Sequence, residues 1–124
     1  MWRVLMAGCL ALVATTATAQ RANNAPFAEL RWLDRITGEQ GDVTLAIGQR
    51  ANLGSIAVVV EECRYPAGSI SRDAFAFLDI TQPSADTETP IKQWFAGWMV
   101  ASSPALNGLE HPRYDVWVLR CRTS

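Results

Sequence analysis

Lysine is almost missing from this chain. Of its 11 basic residues ten are arginine, and Lys92 alone is lysine. Histidine occurs once, at position 111. Twelve acids leave a formal net charge of −1, with no basic stripe of the kind a nucleic-acid binder needs, so nucleic acid is not an expected partner. One histidine and a pair of downstream cysteines lack the ligand spacing of structural zinc, and no metal or cofactor is expected. No apolar run approaches the roughly 20 residues that span a bilayer, so the downstream domain is not expected to be membrane-spanning. Long helix-period segments, internal repeats and low-complexity tracts are absent too. A Gly-x-Ser-x-Gly elbow is missing, as is a Gly-rich oxyanion segment, which removes the local signature of an α/β-hydrolase.

What is present begins with an export signal. Arg3 precedes an apolar run from Val4 to Ala14, and Ala17-Thr18-Ala19 is a small-x-small cleavage site. Residues 1–19 therefore read as a signal peptide cleaved after Ala19, delivering residues 20–124 to the periplasm. Gly8-Cys9 resembles an acylation site but sits inside the apolar run instead of after it. Without Arg3, ten bases face twelve acids, a net charge of −2. Two cysteines remain, Cys63 and Cys121. In an exported chain an even pair reads as a disulfide bond, the alternative being two buried thiols. Such a bond closes a loop of about 60 residues and is worth roughly 4 kcal/mol by chain entropy.

Residues 20–26 are small and polar and read as a flexible mature N-terminus. Residues 27–124 break into short apolar runs separated by turn residues: Phe27 to Ile36, Asp42 to Ile47, Ile56 to Cys63, Asp73 to Ile80, Ile91 to Val100 and Tyr114 to Arg122. Val43, Leu45 and Ile47 alternate with period two, and Val58-Val59-Val60 favours a strand. Strands at this spacing predict a single all-β domain, an antiparallel β-sandwich or small barrel of six to seven strands. One short helical turn is predicted before the last strand, with Ser103 as cap, Pro104 in the first turn and Gly108 as stop. Strict alternation puts Cys63 on a face with Ala57 and Val59, and Cys121 with Asp115, Trp117 and Leu119. It also groups Trp94, Ala96, Trp98 and Val100. Trp98 and Trp117 are expected in the core; Trp32 and Trp94 are open between core and surface.

Ser102, Ser103, His111 and Asp115 supply the residue types of a hydrolytic triad, but their spacing argues against convergence. Ser103 is needed as a cap, and Pro112 forces His111 into extended backbone. The expected role of His111 and Glu110 is to tie a loop to the sheet, with His111 donating to a backbone carbonyl. Catalysis by His111 with Ser102 or Ser103, as a small periplasmic hydrolase, is the alternative. An exposed tryptophan row would instead make a carbohydrate-binding module.

The run "GWMVASSPALNGLEHPRYDVWVLRC", Gly97 to Cys121, resembles an alphaproteobacterial family known as domain of unknown function 2155. Members share a Gly-Trp-Met stretch, Ala-Ser-x-Pro-Ala-Leu, Leu-Glu-His-Pro-x-Tyr-Asp-Val and a terminal cysteine. Here these fall at Gly97 to Met99, Ala101 to Leu106, Leu109 to Val116 and Cys121. "LRWLDRITG", "GSIAVVVEEC" and "AFAFLDI" match more loosely. The resemblance implies an exported bacterial protein, agrees with the paired cysteines and carries over no activity. The reading that results is a bacterial envelope protein with a non-enzymatic binding or accessory domain, facing an unknown periplasmic or envelope protein. The candidate binding residues are Ser102, Ser103, Glu110, His111, Tyr114 and Trp94.

Overall fold

The computed structural model describes residue 14 and residues 21–84 and 91–124; nearly all of the expected signal peptide and the segment 85–90 lie outside the described residues. Eight strands form in chain order: β1 (Ala22–Asn24), β2 (Phe27–Asp34), β3 (Gln40–Ala46), β4 (Arg50–Leu53), β5 (Ile56–Pro66), β6 (Phe75–Gln82), β7 (Lys92–Val100) and β8 (Tyr114–Arg122). All pairings are antiparallel. One sheet runs β5–β6–β7, with β1 and β4 both beside β5; the other runs β3–β2–β8. The chain is all-β and sandwich-like.

Two of the eight strands lie outside the six runs named from the sequence. β4 (Arg-Ala-Asn-Leu) and β1 (Ala-Asn-Asn) are too short and polar to show a periodic pattern. Each exists by pairing with β5, at its Ile56–Val59 and Arg64–Pro66 parts respectively. β1 also lies within the stretch expected to be flexible. The Ala25 amide donates to the Cys63 carbonyl at 2.8 Å, which ties that stretch down. The β4–β5 hairpin turns through Gly54 and Ser55, with Gly54 at φ +61°. A glycine first in a two-residue hairpin loop suits the strand twist.

The core lies between the sheets. Val58, Val60, Ala76, Leu78 and Ile80 come from one side, and Ala28, Leu30, Leu45, Val116 and Val118 from the other. Three one-residue bulges break the alternation. Val60 pairs with Leu78 and Glu62 with Phe77, so Glu61 is the extra residue in β5. In β8 the extra residue is Leu119, and in β7 it is Trp94. A bulge shifts every later side chain to the opposite face. Cys63 therefore joins Val58 and Val60 instead of Val59, and Cys121 joins Val116 and Val118 instead of Trp117. The two cysteines meet in a disulfide that joins the two sheets, with Cα atoms 5.8 Å apart.

The expected helical turn over Ser103 to Leu109 is not formed. Two separate turns replace it, closed by the Ser103 amide on the Val100 carbonyl and the Leu106 amide on the Ser103 carbonyl. The reason is reach. Val100 sits at the end of the sandwich where Phe75 begins β6, while His111 touches Gln82 at the far end of that strand. The connection must cover a nine-residue strand, and a helix rises about 1.5 Å per residue against about 3.3 Å for extended chain.

Candidate functional site

The β7–β8 connection, residues 101–113, is a strap laid along the sandwich and fastened at three places. At its start the Asp73 carboxylate accepts from the Ser102 hydroxyl at 2.8 Å and the Ser102 amide at 3.0 Å. Burial disfavours the charge on Asp73, but hydrogen bonds from Ser102 and from the Ala74 and Ser102 amides outweigh it and hold the carboxyl below its ordinary value. Midway, Asn107 Nδ2 donates to the Trp98 carbonyl at 3.0 Å. Gly97 makes room for this: a Cβ there would lie 3.0 Å from that same nitrogen. Leu109 then turns into the core.

The third fastening is His111, which is 6% exposed. Its Nδ1 accepts from the backbone amides of Arg113 at 3.0 Å and Tyr114 at 3.1 Å. Two donors at Nδ1 place the ring proton on Nε2, which donates to Gln82 Oε1 at 3.2 Å. Trp94 Nε1 donates to the same oxygen at 3.1 Å. The imidazole packs between rings, 4.3 Å from Trp94 and 5.2 Å from Tyr114 by centroid, and Lys92 Nζ lies 3.7 Å over the Trp94 ring. Burial, then the nearby charges of Arg35, Lys92 and Arg113, push the imidazole below its ordinary value. Arg35 also donates to the His111 carbonyl at 2.9 Å and grips Asp115 with two nitrogens. Arg113 holds the buried Asp34 at 2.8 Å, and that hydrogen bond keeps Asp34 well below the usual carboxylate range. The Tyr114 hydroxyl accepts from the Ser55 amide at 3.1 Å, and a side chain at Gly54 would collide with it.

The candidate residues thus divide. Trp94, His111 and Tyr114 come together at one end of the strap. Ser102 lies at the other, engaged by Asp73, and Ser103 is exposed there. No serine is among the hydrogen-bond partners of His111. Its ring nitrogen accepts from backbone amides, where donation to a carbonyl was expected. Glu110 is exposed and takes no part in the fastenings. Asp73, Gln82 and Asn107 do that work. No local signal marks the first two, which lie 29 residues from Ser102 and His111 respectively. Among the described residues no group of three or more His, Cys, Asp or Glu could hold a metal ion.

Trp98 and Trp117 depart from expectation, and the two tryptophans left open are decided toward the core. Trp32 and Trp94 pack against the core. Trp98 pairs with Phe77 on the outer face of the β5–β6–β7 sheet, and Trp117 pairs with Arg31 on the outer face of the other. The bulge at Trp94 separates it from the Trp98 face. With Trp98 and Trp117 on opposed faces, no single sugar-binding platform forms from them. Trp98 is 38% exposed and stands edge-on to Phe77 at 5.6 Å. The strap carries Leu106, 74% exposed, next in sequence to the Asn107 that bonds the Trp98 carbonyl.

A bacterial family described as an uncharacterized conserved protein, DUF2155, matches residues 28–121. A relative, the uncharacterized protein RP359 of Rickettsia prowazekii (strain Madrid E), is 28% identical over 89 residues, 72% of this chain and 56% of that protein. The chain thus spans little more than half the length of that curated relative. No solved structure matches it.

Proposed function

The chain belongs to this uncharacterized bacterial family, and we propose that it is an exported, non-enzymatic binding or accessory domain of the bacterial envelope. It meets a protein partner through the outer face of β7 and the adjoining tip of the strap. The observation that carries this reading is that Trp98 on β7 and Leu106 on the strap are both exposed apolar side chains, on segments that Asn107 ties together through the Trp98 carbonyl. Apolar anchors on fixed backbone are what protein interfaces use. Export is supported by the apolar run before Ala17-Thr18-Ala19 and by the buried Cys63–Cys121 bond, which suits an oxidising compartment.

The test is site-specific photocrosslinking in the native bacterium, with the probe at Leu106, Trp98 or Ile36. Ile36 is as exposed as Leu106 but lies in the β2–β3 turn. A discrete adduct from Leu106 and Trp98, absent at Ile36, supports the reading. Adducts from Ile36 alone, or from none of the three, overturn it. N-terminal sequencing of the mature protein should begin at Gln20.

A further inference from the structure

We propose that His111 is a proton-operated latch: neutral, it holds the Arg113 and Tyr114 amides at the far end of the strap, and protonated, it lets go of both. The inference stands on hydrogen-bond direction. Nδ1 accepts two backbone amides, from Arg113 and Tyr114. A proton added there turns the acceptor into a donor facing two donors, so both bonds are lost together.

Nothing around the ring compensates for the added charge. Arg35 from the β2–β3 turn, Lys92 from β7 and Arg113 from the strap all carry the same sign. The two nearest buried or half-buried acids are taken, Asp34 by Arg113 and Asp115 by Arg35. Glu110 is exposed on the strap. Gln82 from β6, Trp94 from β7 and Tyr114 from β8 are neutral, and Gln82 Oε1 already serves two donors in the neutral state. The other two fastenings, Ser102 on Asp73 and Asn107 on the Trp98 carbonyl, contain no group that titrates near neutrality. Release is therefore confined to the His111 end, which Arg113 on Asp34 and Arg35 on the His111 and Arg113 carbonyls keep attached, so the segment loosens without detaching. A loosened end changes how the Leu106 tip is presented. That consequence rests on the binding reading above; the latch itself does not.

A chain with one histidine makes the measurement direct. The His111 ring is titrated by NMR in the intact oxidised protein, and amide hydrogen exchange is followed over the same range. The ring should titrate below the ordinary histidine value while the fold persists. Protection of the Arg113 and Tyr114 amides should fall by about tenfold per pH unit through the window, after correction for intrinsic exchange, with β5 and β6 unchanged. His111→Asn places Oδ1 where Nδ1 was, so it should keep both amides bonded and remove the pH dependence. Protection that survives titration of the ring overturns the latch, as does a ring that titrates only on global unfolding. A pH dependence that persists in His111→Asn overturns it too. Should that variant fail to fold, the wild-type titration decides. No partner enters this experiment, so its failure and that of the binding reading are distinguishable.

Discussion

The two outer faces of the sandwich are built on opposite terms. On the β3–β2–β8 face charges answer one another. Arg31 reaches Asp42 at 2.7 Å, Arg120 and Arg122 share Glu29 at 3.0 and 3.1 Å, and Arg35 holds Asp115. Trp117 lies among them. Every ion pair among the described residues involves this sheet or its adjoining turns. On the β5–β6–β7 face the cross-strand rows are Arg64–Phe75–Val100 and Glu62–Phe77–Trp98. Arg64 lies 6.0 Å from the Trp98 ring and bonds Asn24, with no acid as partner among the described residues. One face has satisfied its own groups; the other leaves aromatic surface available. Exposed surface of equal area is thus not equal in what it can do for a partner.

The comparison can be broken first where the faces are joined. Replacing both Cys63 and Cys121 by serine removes the covalent tie between the sheets, and denaturant melts should show a loss of roughly 4 kcal/mol. Next is the strap that closes their shared side. His111→Ala orphans two backbone amides and should destabilise by about 1–3 kcal/mol, with His111→Asn recovering most of it.

Acid separates the faces in stages. The His111 value is depressed in the folded state, so its contribution is complete above the ordinary value of about 6.5 and is lost as pH falls from there through the folded value. The Asp34 and Asp42 values are also depressed, so their contributions persist above the ordinary carboxylate value of about 3.9 and are lost only below it. A pH series of melts should show two descending arms, and His111→Asn should flatten the upper one.

Smaller effects distinguish the surfaces themselves. Trp98→Ala loses an edge-on ring contact, about 1 kcal/mol, and should abolish the Leu106 crosslink without unfolding the protein. Smallest of all is Asp42→Asn on the charged face, whose melt should converge on wild type in high salt because exposed pairs are screened.

Much of this architecture is legible in residue order. Period-two alternation finds the six longer strands, and an even cysteine pair in an export context finds the disulfide. The limit is reached at Glu61, Trp94 and Leu119. A single inserted residue looks like any other in a list, yet it inverts the face of everything after it, which is why Cys63 and Cys121 were grouped with the wrong neighbours. His111 stood out as a loop anchor. Its partner Gln82 did not, because their meeting depends on the path of a strap whose length of reach overrode the capping signals at Ser103 and Gly108.

The bulges at Glu61 and Leu119 also bear on how the chain acquires its fold. Each cysteine faces inward only when its own strand has taken up the offset, so a slipped pairing of β5 or β8 presents that thiol to solvent. Oxidation across a separation of 58 residues can then succeed only after both offsets are in place. The bond acts as a proofreader of strand register: it captures the correctly paired chain and leaves misaligned ones reduced, open to further rearrangement. Removal of Glu61 alone should accordingly leave free thiol after refolding in an oxidant.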